Sequence, residues 1–470
     1  MSEKRQYFLC GIGGSGMLPL ALILRAAGHA VSGSDRALDQ GRTAPKFDFL
    51  KSRGIALFPQ DGAGLSSARQ IVVASAAVED TVPDIRAALE LGAKRLSRAQ
   101  MLSELFNAAR TPIGVAGTSG KSTTTGMIAW ILHAAGADPT VMNGAVMKNF
   151  ASPDALFASA LVGAGDAFVS EIDESDGSIA LFSPKIAVLN NISLDHKSME
   201  ELRRLFSDFI AKTSVAILNL DNAETRSLSS IHRGKKITFS LTDQSADLFA
   251  DQICAERYGV SFTAHDNARS EQYGVELKMP GRHNVANALA AIGAATAAGI
   301  SFKSACDALC TFEGVKRRFE YIGEAAGISV IDDFGHNPDK ISATLRTLKD
   351  FPGRLLVMFQ PHGFGPLKKM KDEFIECFST NLDTDDILVM PEPVYFGGTA
   401  DRSVSSGDIT AGVTRRGRKA ASYDTRQECG DALVRAAHTG DRIVVMGARD
   451  DTLTTFAEGL LDQLKRLDSD

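Results

Sequence analysis

The chain has 470 residues and little that would mark it for a membrane, a secreted scaffold or a nucleic acid. No apolar run approaches the roughly 20 residues that a membrane-spanning helix needs, and Met1-Ser2-Glu3-Lys4-Arg5 leads into a strand pattern instead of a signal peptide. Cysteine is sparse: Cys10, Cys254, Cys306, Cys310, Cys377 and Cys429 form no C-x-x-C pair. Cys306 and Cys310 lie four apart in a helical pattern, but no second pair completes a metal site, so the six read as buried free thiols. A basic excess is also missing. With 51 Lys and Arg against 57 Asp and Glu, the net charge is −6 and the pI about 5.9, which argues against a sequence-independent nucleic-acid binder. There is no internal repeat and no low-complexity tract. What remains is 44% hydrophobic and 23% charged with a mean hydropathy of −0.03, an ordinary globular chain long enough for about three domains. A cytoplasmic protein with small-molecule partners, no nucleic acid and no membrane is expected, as a monomer or homodimer.

Against that plain background one stretch stands out, Ile113-Gly114-Val115-Ala116-Gly117-Thr118-Ser119-Gly120-Lys121-Ser122-Thr123-Thr124-Thr125. Apolar residues run into a glycine-rich turn, and Gly120-Lys121-Ser122 opens a helix. Such a loop holds a nucleotide polyphosphate: backbone N–H groups point at phosphate oxygens, the lysine reaches the terminal phosphates, a hydroxyl ligates Mg²⁺, and the helix N-terminus favours the anion. Five residues separate Gly114 from Gly120, one more than the standard P-loop, so the fit is G-x-x-G-x-x-G-K-S-T. An ATP-type site is expected, with Gly117, Thr118, Ser119, Gly120, Lys121, Ser122 and Thr123 around the phosphates.

The first domain, residues 1–107, opens with a strand at 7–10, Gly11-Ile12-Gly13-Gly14-Ser15-Gly16, and a helix at 17–27 stopped by Gly28. A strand at 30–33 then ends in Ser34-Asp35. This is the dinucleotide-binding pattern, with Asp35 placed for ribose hydroxyls. The spacing alone fits NAD, or any diphosphate carrying a sugar diol. Ser75-Ala76-Ala77 ends a later strand on the ligand side of such a sheet, and equally suits a small-residue turn.

In the second domain, residues 108–316, an apolar strand delivers Ser170-Glu171-Ile172-Asp173-Glu174-Ser175-Asp176. Glu171 and Asp173 are expected to share a face, and a carboxylate opposite a P-loop commonly binds Mg²⁺. A strand at 186–189 runs into Asn190-Asn191-Ile192-Ser193-Leu194-Asp195-His196, then a helix at 199–210. His196 follows a strand end in a domain that already has a phosphate loop, which favours function over structure. Residues 236–279 alternate, suggesting antiparallel strands attached to the parallel core. Asn284 suits an N-cap, and Asn287 one turn later is placed to present its amide to an adenine edge.

The third domain, residues 317–470, begins at Lys316-Arg317-Arg318-Phe319-Glu320, a basic pair suited to a phosphate clamp. A strand at 328–331 ends in Asp332-Asp333-Phe334-Gly335-His336-Asn337-Pro338, with Asn337 as N-cap and Pro338 as first helical residue. Strands at 354–359, 387–390 and 443–446 alternate with helices and predict a second doubly wound sheet. Gln360-Pro361-His362-Gly363-Phe364-Gly365 and Gly447-Ala448-Arg449-Asp450-Asp451 are its strand-end loops.

Taken in order, G-I-G-G-S-G-M with Asp35, G-T-S-G-K-S-T-T-T, S-E-I-D-E-S-D, N-N-I-S-L-D-H, G-R-H-N-V-A-N-A-L-A-A, G-V-K-R-R-F-E, D-D-F-G-H-N-P and F-Q-P-H resemble the Mur ligase family over essentially the whole chain. The likeness is greatest to the branch that adds L-alanine, or a recycled tripeptide, to UDP-N-acetylmuramate. It implies an α/β fold of three domains: an N-terminal Rossmann-like sheet, a central P-loop ATPase-type mixed sheet and a C-terminal Rossmann-like sheet. It also moves the first domain from NAD to a UDP-sugar. The implied chemistry is ATP-dependent amide formation through an acyl phosphate, in peptidoglycan synthesis or recycling, with Mg²⁺ (two ions) as cofactor. By resemblance, Lys121 holds the β/γ-phosphates, Ser122 and Glu171 hold one Mg²⁺, and His196 a second. Asn287 reads adenine, Arg318 contacts phosphate and Asp333 the ATP ribose. Gly11, Gly13, Gly14, Ser15, Gly16, Asp35 and Ser75 cradle the UDP group, while His336, Asn337, His362 and Arg449 face the acceptor.

Two departures bear on the acceptor. Asn337 stands where the alanine-adding branch usually has a second histidine, and Gly363, Phe364, Gly365 and Pro366 follow F-Q-P-H where arginines are usual. A peptide or another amino acid is therefore an alternative to L-alanine. The family's carbamylated lysine has no clear counterpart: Lys197 is too near the D-H motif and Lys212 only loosely positioned. An NAD-dependent oxidoreductase, the rival of another class, leaves the D-H and R-R-F-E motifs unexplained. A non-catalytic sugar-nucleotide binder is opposed by the intact Lys121, Glu171 and His196.

Overall fold

The computed structural model describes residues 4–75, 78–194, 197–393, 403–448, 450 and 452–467. Strands buried on both faces are what a parallel sheet flanked by helices requires, and the apolar run Tyr7-Phe8-Leu9-Cys10 supplies one. Five parallel strands form the first sheet in the order Ala56–Phe58, Ala30–Ser34, Gln6–Cys10, Gln70–Ala74, Arg95–Ser97. The chain winds outward from Gln6–Cys10 in one direction and then crosses to its other side. The strand order thus reverses between Gln6–Cys10 and Gln70–Ala74, and ligands of open parallel sheets bind at such a reversal. The Gly11 turn and Ser75 follow these two strands directly.

The second sheet has ten strands. Its parallel centre runs Lys235–Ser240, Val215–Asn219, Ile186–Leu189, Thr111–Ala116, Ala167–Glu171, Thr140–Met142. Ala160–Leu161 joins one edge antiparallel, and Leu248–Glu256, Gly259–Asp266 and Glu271–Leu277 extend the other. The P-loop strand Thr111–Ala116 is therefore flanked by the ends that carry Asn190 and Glu171. Two expectations are corrected here. Lys235–Ser240 pairs parallel with both of its neighbours, because alternation reports burial on one face and says nothing of direction. Asn284 is no cap: the helix starts two residues earlier, as Arg282–Ala297, and buries Asn284 in its first turn.

The chain divides into two compact units, one of Met1–Cys254, Ser261–Lys278 and His283–Val315, the other of Ala255–Val260, Met279–Arg282 and Lys316–Asp470. The second unit holds the third sheet, ordered Glu320–Ala325, Ile328–Asp333, Arg442–Gly447, Leu355–Gln360, Ile387–Pro391, Lys419–Tyr423. The first pair is antiparallel and the rest parallel. Ile328–Asp333, Arg442–Gly447 and Leu355–Gln360 are buried along their whole length. Helices cover both faces: Ile341, Leu345, Phe374, Phe378 and Ile409 pack on one, Leu433, Leu453, Leu460 and Leu464 on the other. The same unit includes Tyr258, whose hydroxyl meets Ser329 Oγ at 2.5 Å and donates to Glu324 Oε2 at 3.0 Å.

Candidate active site

Gly120 decides the shape of the phosphate loop. It has φ of +80°, and a methyl group there would lie 2.5 Å from Asn287 Oδ1, so only glycine lets the loop close before the helix Lys121–Ala134. One turn of geometry then brings the charged groups together. Lys121 Nζ donates to Gly117 O at 2.7 Å and pairs with Glu174 Oε2 at 2.9 Å. Burial works against its charge, but Glu174, Asp173 and Glu171 outweigh it and hold the ammonium above its ordinary range. Ser122 Oγ donates to Glu171 Oε2 at 2.7 Å. Gly144, from the loop after Thr140–Met142, makes room for that carboxylate, since a methyl group there would come within 2.0 Å of Glu171 Oε1.

The expected pairing of Glu171 with Asp173 is corrected. The strand ends at Glu171, so period-two geometry does not reach Asp173, whose Oδ1 instead accepts the Ser175 N–H in a turn. The carboxylate that meets Lys121 is Glu174.

Three asparagines brace the loop. Asn190 Nδ2 donates to Thr124 Oγ1 at 2.9 Å and to Asn287 Oδ1 at 3.4 Å, and Asn287 Nδ2 donates to Asn284 Oδ1 at 3.2 Å. Asn287, expected at adenine, thus lies directly against the P-loop turn, 7% exposed. Asn191 Oδ1 accepts from Ser119 N at 2.9 Å and Thr118 Oγ1 at 2.8 Å. The Ser119 N–H, expected to face phosphate, is directed at this amide.

A hydroxyl and a carboxylate converging at hydrogen-bond distance are hard oxygen donors of the kind Mg²⁺ selects, and Ser122 and Glu171 fit it. His196, expected at a second ion, and Arg449, expected at the acceptor, lie outside the described residues. Lys197 Nζ pairs with Glu201 at 2.5 Å and Lys212 Nζ donates to Ala180 O at 2.6 Å.

At the first sheet, Gly11 has φ of +77°, and the N–H groups of Gly11 and Ile12 both donate to Ser34 O. Asp35 ties this turn to the next strand: Oδ2 accepts from Gly13 N and Oδ1 from Ala37 N, both at 2.8 Å. Lys46 Nζ donates to Gly13 O at 3.1 Å. Gly14 and Ser15 are exposed, Gly16 caps the helix Met17–Ala26, and Ser75 is half-buried.

In the second unit the basic pair divides. Arg317 is buried on Asp332 at 3.3 Å and donates to Gly447 O and Asp450 O. Burial pushes the Asp332 carboxyl up to about 6 against the pull of Arg317. Arg318 lies over the Phe334 ring, 4.2 Å from its centroid. Asp333 accepts from Phe319 N, Gly335 N and Thr344 Oγ1. His336 and His362 meet edge to face with centroids 5.4 Å apart. Burial, then Lys340, and further His362 and Arg318, push the His336 imidazole down to about 3, so it is neutral. Asn337 caps the helix Pro338–Lys349, accepting from Lys340 N at 3.0 Å.

Three family profiles match in succession: "Mur ligase family, catalytic domain" over residues 7–110, "Mur ligase middle domain" over 115–295, and "Mur ligase, glutamate ligase domain" over 317–449. The chain belongs to the Mur ligase family. This Mur ligase is 35% identical to a UDP-N-acetylmuramate–L-alanine ligase of Novosphingobium aromaticivorans, covering 97% of this chain and 96% of that one. It is also 35% identical to the enzyme of that name from Geotalea daltonii, covering 98% of each. Its three-sheet α/β fold matches a UDP-N-acetylmuramate–alanine ligase from Thermotoga maritima with a TM-score of 0.79 at 24% identity, over 99% of both chains. A murein peptide ligase from Psychrobacter arcticus matches with a TM-score of 0.72 at 28% identity, over 98% of this chain and 99% of that one. Among the described residues of this Mur ligase, no helix is long and apolar enough to cross a membrane.

Reading the sequence overlooked Glu174, Asn191 and Gly144. Glu174 stood inside the quoted S-E-I-D-E-S-D motif, three residues after Glu171, where a turn and not a strand brings it to the lysine. Asn191 also stood in a quoted motif. Nothing local marks Gly144; its partner is 27 positions away in sequence.

Proposed function

We propose that this Mur ligase joins the carboxylate of UDP-N-acetylmuramate to the amine of L-alanine, converting ATP to ADP and phosphate. The carrying observation is the convergence of Lys121, Ser122, Glu171 and Glu174 at the mouth of the phosphate loop. A donor carboxylate oxygen attacks the γ-phosphorus, the bond to the β-phosphate oxygen breaks, and ADP leaves. The acceptor amine then attacks the acyl carbon and loses a proton, and the tetrahedral intermediate expels phosphate. The first step is electrostatically hard: two anions at ~4 Å repel by about 4 kcal/mol at an effective dielectric of 20. Lys121 offsets that repulsion at the β/γ-phosphates. A Mg²⁺ ion held by Ser122 and Glu171 would supply further charge neutralisation on the phosphates. The glycine turn of the first sheet takes the UDP group, and the reaction belongs to the cytoplasm, where both nucleotides occur.

A second reading keeps the donor and changes the acceptor to a peptide or another amino acid. Gly363, Phe364, Gly365 and Pro366 favour it: expected as a strand-end loop, they instead cap and open the helix Phe364–Lys369, and this segment beside His362 carries no guanidinium for an acceptor carboxylate, a contact worth roughly 1.5–3 kcal/mol. Phosphate release from ATP with UDP-N-acetylmuramate, measured against L-amino acids and the cell-wall tripeptide, tests both. Release that requires the sugar nucleotide and L-alanine is the expected result. Release with the tripeptide alone selects the second reading, and release with no acceptor at all sinks both.

A further inference from the structure

We propose that Arg98 binds the diphosphate of the donor sugar nucleotide at the glycine turn, an inference that rests on the reading of the first sheet as the donor site. Arg98 is the first residue of the helix Arg98–Ala108, placed there by the Ser97–Gln100 capping box. Its half-buried guanidinium lies against the turn: a methyl group on Gly16 would stand 2.8 Å from Nη1, 3.0 Å from Cδ and 3.3 Å from Cζ. Yet Arg98 makes no hydrogen bond and no ion pair with any described residue. Its charge is also felt at Asp173, beside the phosphate loop. Burial pushes that carboxyl up, but Lys121, Ser175 and Arg98 together hold it below its ordinary range.

No hydrogen bond or ion pair with a described residue calls for a cation at this position. The first turn of a helix carries the positive end of its dipole, so arginine there is unfavourable unless an anion compensates it. Asp173 supplies a negative charge at longer range but no hydrogen bond, which leaves the guanidinium's donors for an anionic ligand. A guanidinium presents a planar fork of donors that matches two phosphate oxygens at once. The diphosphate of a nucleotide sugar, seated on the Gly11–Gly16 turn at the start of the helix Met17–Ala26, meets that fork. The phosphates of ATP are the other source of the same chemistry, but they have their own cation in Lys121.

Calorimetric titration of UDP and of a non-hydrolysable ATP analogue into the parent, Arg98→Ala and Arg98→Lys proteins separates these sources. For Arg98→Ala, UDP affinity is expected to fall on the order of ten- to a hundredfold, with the ATP analogue unaffected. Arg98→Lys is expected to recover part of the loss. Because the residue opposes the dipole, the Tm of Arg98→Ala should equal or exceed that of the parent, which a merely structural role would not allow. Unchanged UDP affinity in Arg98→Ala, with the parent binding normally, would overturn this assignment alone. Loss confined to the ATP analogue would overturn it in favour of the other nucleotide. A parent protein that ignores UDP would bring down the donor reading and this assignment together.

Discussion

Lys121 in this structure is already engaged, by Gly117 O and by Glu174, and Ser119 N–H is engaged by Asn191. On the proposed reading, nucleotide binding is an exchange of partners, and the groups that give way set part of its cost. Glu174 is buried, so its bond to the lysine competes directly with phosphate. Glu174→Gln is expected to tighten ADP binding several-fold in calorimetry, and unchanged affinity would show that the lysine keeps both partners. His336 gives a pH dependence with a definite sign. Its imidazole is held neutral down to about 3, whereas an unfolded histidine takes a proton near 6.5. Between those values the unfolded state binds more protons, so stability rises with pH and is lost as pH falls from about 6.5 toward 3. A His336→Gln protein should lose less Tm than the parent over that acid range, and NMR should find no His336 titration between about pH 6 and 8.

At the scale of elements, caps and glycine stops carry much of the local definition. Thr425 opens the helix Arg426–Ala436 with a full capping box, accepting from Glu428 N while Glu428 Oε2 accepts from Thr425 N. Thr425→Ala is expected to cost about 1 kcal/mol in urea denaturation, with catalysis untouched. Signals of this kind made the central strands legible: Ile186–Leu189 was read to the residue, and Asn337-Pro338 opens its helix as the sequence indicates. Two edge strands of the third sheet were not legible. Glu320–Ala325 and Lys419–Tyr423 pass polar residues to solvent, and their apolar content is too thin to separate from loops. The grouping of the candidate site was legible where residues follow a strand end, as with Ser122 and Glu171, which meet as a hydrogen-bonded pair. It was hidden where a turn redirects the chain, as at Glu174, and where partners come from distant sequence, as Asn191 does for Ser119.

Taken whole, the molecule hides most of its sulfur. Cys10, Cys306, Cys377 and Cys429 are buried, and burial pushes each thiol up to about 12, while Cys254 is exposed and Cys310 partly so. An aromatic disulfide reagent should find Cys254 at once, Cys310 more slowly, and the other four only on unfolding; prompt reaction of all six would contradict the burial. The division of the chain matters in another way. The unit with the third sheet is not one continuous stretch: Ala255–Val260 and Met279–Arg282 belong to it, and Tyr258 supplies hydroxyl contacts to Ser329 and Glu324. A chimera that took a foreign C-terminal half at the sequence junction near 316 would inherit Ser329's side of that contact from one parent and Tyr258's from the other. Grafting a foreign C-terminal half therefore requires transplanting the 255–260 tip together with the half it serves, or accepting a seam with mismatched hydroxyls.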